Sequence, residues 1–178
     1  MTVVGLDLGG TKIAAGVFDG TRLLSKVVLP TPGEGGMAVV QALAEATRKA
    51  EAEAGVEGVA IGLGTPGPLD FKEGVIRFTP NIRGLVNFPI RRLLEEATKR
   101  PVHLENDANA AALAEHHLGA ARGEGSSLFL TVSTGSRVPP SPRATLPGTG
   151  PWRSGTGRGF WPWTFPGVTA LPCEARMP

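Results

Sequence analysis

Residues 1–135 predict an α/β fold, a mixed sheet with helices packed on it, and three observations carry that reading. Apolar residues rich in Val, Ile and Leu first recur with period 2 over 3–8, 12–18 and 22–29. The period then changes to that of a helix over 37–54, where Val39, Val40, Leu43, Ala46, Ala50 and Ala54 share one face. Beyond that point short apolar runs at 59–63, 102–105 and 127–134 alternate with helical stretches at 90–99 and 108–118. Strands joined first by hairpins and then through helices make a sheet that is antiparallel at one side and parallel at the other.

Taken in order, the first three strands are separated by glycine-containing turns and form a meander. Residues 31–36 are a turn cluster, and residues 64–68 a proline-glycine loop. A short strand over 75–78 leads into a Pro80-Asn81 turn, and Asn and Asp crowd the junction between the strand at 102–105 and the helix at 108–118. After Gly135 the pattern stops. Residues 136–178 hold nine of the 16 prolines, all three tryptophans and the single cysteine, and keep neither period. Two readings fit this segment: a disordered Pro/Gly/Arg-rich tail, or an end translated out of frame from near Gly135, which is the one expected here. Reading the coding DNA across codons 130 to 180 decides between them.

Composition narrows the function classes. The chain has a formal net charge of +2, but residues 1–135 hold 13 Lys/Arg against 15 Asp/Glu, so the basic balance belongs to the segment after 135. No stripe of Lys/Arg interleaved with aromatics is present before it, which argues against a nucleic-acid partner. No apolar run is long enough to span a bilayer and the N-terminus enters a strand at once, so no membrane association and a cytoplasmic location are expected. Cys173 has no partner for a disulfide or a multi-cysteine metal site.

The first constellation with chemistry in it is Asp7-Leu8-Gly9-Gly10-Thr11-Lys12, a strand, a tight turn and a second strand. Glycines let backbone amides approach anionic oxygens, Thr11 adds a hydroxyl and Lys12 a positive charge, all of which suit phosphate. Asp7 would repel bare phosphate, so its presence points to an intervening Mg²⁺ held largely through water. The same six residues also suit a plain Gly-Gly hairpin with surface charges. The second constellation is Glu105-Asn106-Asp107-Ala108-Asn109. An Asp there can accept a proton from a substrate hydroxyl, and Asn106 can donate to and accept from neighbouring hydroxyls of a polyol. A helix N-cap explains one of these residues but not four. The loops "GLGTPGPLD" (62–70) and "TPNIRG" (79–84) could present amides and the Asn81 side chain to a ligand, and alone they also read as turns. His116 and His117 are neighbours on a helix and cannot chelate one ion together, and His103 has no visible partner.

These four segments, in this order, resemble the motifs of the ROK family (repressor, open reading frame, kinase): its first phosphate motif in "DLGGTKIAAGVFD", its proline-glycine loop, its Asn loop, and its active-site segment in "ENDANAAALAE". The resemblance implies a ribonuclease-H-like lobe of the actin-like ATPase superfamily, one of two lobes that close on sugar and ATP. It implies ATP-dependent phosphorylation of a hexose, glucose first, with Mg²⁺. Asp107 would be the general base. Pro66, Gly67, Asn81, Glu105 and Asn106 would lie at the sugar, and Gly9, Gly10, Thr11 and Lys12 along the phosphate path with Thr134 and Gly135. Asp7 would serve the metal. The implied layout is a sugar-kinase lobe over 1–119, the start of a second lobe over 120–135 and an aberrant segment over 136–178.

Two departures from the family pattern stand out. Gly84 is followed by Leu85 where a tryptophan would be expected, and after Gly135 there is no recognisable glycine-rich loop, zinc motif or adenosine pocket. The second lobe is therefore expected to be incomplete, the family zinc site missing and the chain close to inert by itself. A sugar-binding fragment without turnover is the alternative. A sugar-responsive repressor of the same family would need a winged helix ahead of the phosphate motif, where three residues precede Val4. The resemblance leaves room for a homo-oligomer and does not fix which hexose is used.

Overall fold

The computed structural model describes residues 1–123. The strand expected over 127–134, Thr134, Gly135 and the segment 136–178 with Cys173 lie outside the described residues. Three strands come first: β1 (Thr2–Leu8), β2 (Lys12–Asp19) and β3 (Arg22–Pro30). They pair antiparallel as a meander, with Leu8 opposite Ile13 and Lys12 opposite Pro30. Helix α1 (Met37–Ala54) crosses to β4 (Ile61–Thr65), which pairs parallel to β1. A small hairpin, β5 (Leu69–Asp70) and β6 (Val75–Ile76), precedes α2 (Ile90–Thr98), β7 (Val102–Asn106) and α3 (Asp107–Leu118). β7 pairs parallel to β4, giving a five-stranded mixed sheet in the order β3-β2-β1-β4-β7.

Alternation assigns the two faces of this sheet, with Gly16 of β2, buried against Phe18 and Leu23, the exception. Val4, Leu6 and Leu8 of β1, Ile13, Ala15 and Val17 of β2, Ile61 and Leu63 of β4, and Val102 and Leu104 of β7 are buried. They meet Val39, Val40, Leu43, Ala46 and Ala50 of α1 and Ile90 and Leu94 of α2, the helical face expected from spacing. The opposite face carries Gly5, Asp7, Gly62 and Gly64, none of them buried. Glu51, itself buried, ties the back of the lobe together: its carboxylate accepts the Gly58 amide at 2.8 Å and pairs with Arg100.

The fourth strand lies two residues later than its apolar run suggests. Ile61–Thr65 pairs on both sides, and Val59, within the expected strand, is exposed. Gly64 and Thr65 read as the start of a loop because Gly64 has no apolar side chain to show, yet in a central strand with period 2 Gly62 and Gly64 occupy the uncovered face while Ile61, Leu63 and Thr65 fill the core. β6 falls within the short strand expected over 75–78, and its partner β5, in a stretch read as a loop, is tied to it by an Asp70–Arg77 ion pair. Among the described residues no helix is long and apolar enough to cross a membrane.

Candidate functional site

β1, β4 and β7 run parallel, so their C-terminal ends lie along one edge, the edge at which open α/β sheets bind ligands. Three of the four motifs leave from that edge. The Gly9-Gly10-Thr11 turn follows β1, Pro66-Gly67 follows β4, and Asp107 begins α3 directly after β7. The register sets the rest: Asp7 lies beside Gly64, and Gly64 beside Glu105. A Cβ built on Gly64 would lie 3.8 Å from the Asp107 Cα, so Asp107 sits over the uncovered face on which Asp7 also projects. With strands about 5 Å apart, the Asp7 and Asp107 backbones are about 10 Å apart or closer.

Asp7 feels the charge of Asp107. The surrounding strands and loops strip enough water from Asp7 to raise its carboxyl above the ordinary value of 3.8; repulsion from Asp107 raises it further, and Lys12 pulls it partly back. Asp7, Lys12 and Asp107 therefore share one electrostatic environment. The sign for stability follows. A carboxyl that binds its proton more tightly in the folded state contributes stability fully present below its unfolded pKa, near 3.8, and lost as pH rises through the higher folded value. Asp7→Asn is expected to raise the thermal midpoint of metal-free protein at pH 7 and to lose that advantage as pH falls through the raised folded value of Asp7 toward 3.8. Equal midpoints at pH 7, or a gap that widens in acid, would show that Asp7 costs the fold nothing.

The phosphate-type turn is clamped rather than open. The Gly9 amide donates to the Lys12 carbonyl at 2.9 Å, so it is spent inside the turn. Thr31 holds the turn from outside, its hydroxyl donating to the Gly9 carbonyl at 2.7 Å and its amide to the Thr11 carbonyl at 3.0 Å. Gly10 is required for closeness: a Cβ there would come 3.0 Å from the Asn81 Cβ. This contact brings in the fourth motif. A cavity of about 320 Å³ lies between the turn and the Asn loop, lined by Gly10, Thr31, Pro32, Asn81, Ile82 and Arg83. A larger one, about 600 Å³, lies between the C-terminal ends of α1 and α2 beside Glu51 and Arg100, and none of the motif residues lines it.

At the Asn-Asp segment the structure assigns the cap to Asn106. Its Oδ1 accepts the amides of Ala108 at 3.1 Å and Asn109 at 3.3 Å, while a Cβ on Gly67 would stand 3.5 Å from its Nδ2. Glu105 accepts from its neighbour's amide at 2.8 Å and from Asn109 Nδ2 at 3.0 Å. Asp107 is exposed, with one oxygen accepting the Ala108 amide at 2.8 Å. The single cap explains Asn106, and Asn109 serves to orient Glu105.

Sequence reasoning missed what holds Asn81. Gly35, in the 31–36 turn, packs on the Arg83 backbone so tightly that a Cβ would fall 1.8 Å from the Arg83 oxygen, and the Gly36 amide donates to that same oxygen at 3.1 Å. The run of Gly in "TPGEGG" was the available signal. Two hard carboxylates on one face fit a divalent cation. Among the described residues no three His, Cys, Asp or Glu side chains converge to cage one, so Mg²⁺ there would keep waters and phosphate oxygens as most of its ligands.

Against known proteins, the chain is 38% identical over 137 residues to a glucokinase of Thermotoga maritima, covering 76% of this chain and 43% of that protein. The ROK hexokinase of Thermus thermophilus superposes with a TM-score of 0.67 at 79% identity, over 69% of this chain and 41% of that one. A ROK family glucokinase of Streptomyces griseus, solved with glucose and AMPPNP, superposes with a TM-score of 0.64 at 39% identity, over 69% of this chain and 38% of that one. The chain thus spans about two fifths of the length of the relatives it matches. Its sheet and flanking helices are those of the actin-like ATPase fold of ROK sugar kinases. The family model of ROK matches residues 3–136, and the chain belongs to the ROK family.

Proposed function

We propose that these residues form the sugar-side lobe of an ATP-dependent hexose kinase, with glucose as the first substrate and glucose 6-phosphate as the product. The observation that carries the reading is that Asp7 and Asp107 share one uncovered face at the C-terminal sheet edge, with Lys12 near enough for its charge to act on the Asp7 carboxyl. Phosphoryl transfer rests on a group that orients or deprotonates the nucleophile and on positive charge at the phosphates. Asp107 would take the proton of the 6-hydroxyl as it attacks the γ-phosphorus and the bond to the leaving ADP oxygen breaks. Asn81, Glu105 and Asn106 would bond the remaining hydroxyls. Asn106 would do so through Nδ2, since its Oδ1 is committed to α3. Pro66 and Gly67 would shape the loop over the sugar. Gly10, Thr11 and Lys12 would face the phosphates, with Thr134 and Gly135 from beyond the described residues.

Mg²⁺, when bound near Asp7, would supply charge neutralisation for the phosphates. The relatives crystallised or named with glucose support the hexose, and the AMPPNP complex supports the nucleotide. A cytoplasmic site of action, where ATP is at hand, belongs to the same proposal. A non-catalytic sugar-binding role is the second reading.

A joined chain, residues 1–135 followed by the remainder of the Thermus thermophilus hexokinase, tests the proposal. It is expected to release ADP from ATP in the presence of glucose, whereas the 178-residue chain alone releases none above background. Failure of the joined chain with glucose, fructose, mannose and N-acetylglucosamine alike would remove the hexose-kinase reading. Turnover by the 178-residue chain alone would remove the need for a second lobe.

A further inference from the structure

We propose that Thr31 is a positioning residue for the nucleotide: by holding two carbonyls of the Gly9-Gly10-Thr11 turn, it aims the Gly10 amide at the phosphates. The inference takes its ligand from the hexose-kinase reading and everything else from the geometry of the turn. Thr31 follows β3, whose Pro30 lies opposite Lys12 at the start of β2. Residue 31 therefore arrives beside the turn although it is 22 positions from Gly9 in the chain. Its amide donates to the Thr11 carbonyl at 3.0 Å and its hydroxyl to the Gly9 carbonyl at 2.7 Å. The amide bond extends the β2–β3 ladder, and any residue except proline could make it. The hydroxyl bond belongs to the half-buried Thr31 side chain alone.

In a trans peptide the carbonyl of one residue and the N–H of the next point in opposite directions from a shared plane. The Gly9–Gly10 bond is trans, so fixing the Gly9 carbonyl on Thr31 turns the Gly10 N–H away from Thr31. Among the described residues no hydrogen bond uses the Gly10 or the Thr11 amide, whereas the Gly9 amide is spent on the Lys12 carbonyl. A peptide plane between two glycines is easily rotated, because neither residue has a Cβ to resist the change in ψ and φ. Such a flip would put the Gly9 oxygen where a donor is needed and set its partial negative charge against a phosphate. Thr31 selects the orientation with the donor outward. Gly10 itself is kept bare by Asn81, whose Cβ would stand 3.0 Å from a Cβ built there.

In the joined chain, T31V removes the hydroxyl at nearly constant volume and leaves the backbone bond in place. It is expected to raise the KM for ATP about fivefold to tenfold, the worth of one hydrogen bond, with the KM for glucose within about twofold of the parent's. T31S, which restores the hydroxyl, is expected to return both values. S25A is the matched loss: Ser25 lies on β3 and its hydroxyl donates to the Ala50 carbonyl at 2.6 Å, away from the turn. It should lower stability without moving either KM. T31A takes the place of T31V if that variant does not fold. The direction of the N–H is read without turnover, from the Gly10 residual dipolar coupling in the 178-residue chain, which should agree between parent and T31S and change in T31V. An unchanged coupling in T31V, a KM for ATP equal to the parent's, or an equal rise in S25A overturns the proposal. A joined parent with no turnover removes the hexose-kinase reading and the nucleotide role with it, whereas turnover with an unmoved KM removes the role of Thr31 alone.

Discussion

Asp107→Asn in the joined chain is expected to lower kcat by roughly 10²–10⁴, the usual contribution of a positioned proton acceptor. The substitution is close to isosteric, and the start of α3 survives it. The cap belongs to Asn106, whose Oδ1 holds the Ala108 and Asn109 amides without help from the next residue, and an Asn at 107 can still accept the Ala108 amide. The KM for glucose should therefore change less than about threefold, since a neutral hydrogen bond replaces a charged one of modest net value. Lys12→Ala is expected to act on the other substrate, raising the KM for ATP more than that for glucose. One electrostatic consequence is specific to this geometry. Removing the Asp107 charge takes away one of the two influences that raise the Asp7 carboxyl, so its titration, followed by NMR in the 178-residue chain, should move down toward the ordinary value. Loss of glucose affinity with kcat intact, or an Asp7 titration indifferent to residue 107, would separate Asp107 from the chemistry.

Much of this was legible because alternation and helical spacing are local signals. Val4, Leu6 and Leu8 against Gly5 and Asp7 announce both the strand and the face on which Asp7 projects. Helix α1 was placed by its own apolar face, with bounds that coincide with the observed ones. What could not be read is what depends on partners distant in the chain. β4 extends through Gly64 and Thr65 because β1 and β7 flank it, and nothing in those two residues tells the end of a central strand from a turn. Asn106 and Asp107 are both suitable caps, and the choice between them is settled by where β7 ends. The Gly9-Gly10 turn reads as an open anion cradle, yet Thr31, some 20 residues on, closes one side of it. Gly35 looked like one of several turn glycines and is instead the surface on which the Asn loop rests.

Gly35→Ala is the structural counterpart of the Asp107 experiment. Gly35 has φ +68°, where a Cβ costs about 1–2 kcal/mol. Gly20, at φ +59° with nothing within 4 Å of its Cβ position, isolates that backbone cost. The difference between the two positions is contact. At Gly35 the new methyl would overlap the Arg83 carbonyl, so either the 31–36 turn or the Asn loop must move, and the Gly36 to Arg83 hydrogen bond breaks with it. We expect Gly20→Ala to cost about 1 kcal/mol and Gly35→Ala about 2–4 kcal/mol in urea unfolding of the 178-residue chain. In the joined chain the displaced Asn81 should raise the KM for glucose about tenfold, the worth of one good hydrogen bond, with kcat falling far less than for Asp107→Asn. Arg83 offers its backbone rather than its side chain to this contact, so Arg83→Ala should leave both quantities near the parent's. Equal stability losses at Gly20 and Gly35 would mean that the two loops yield freely, and Asn81 would then owe its position to Gly10 alone.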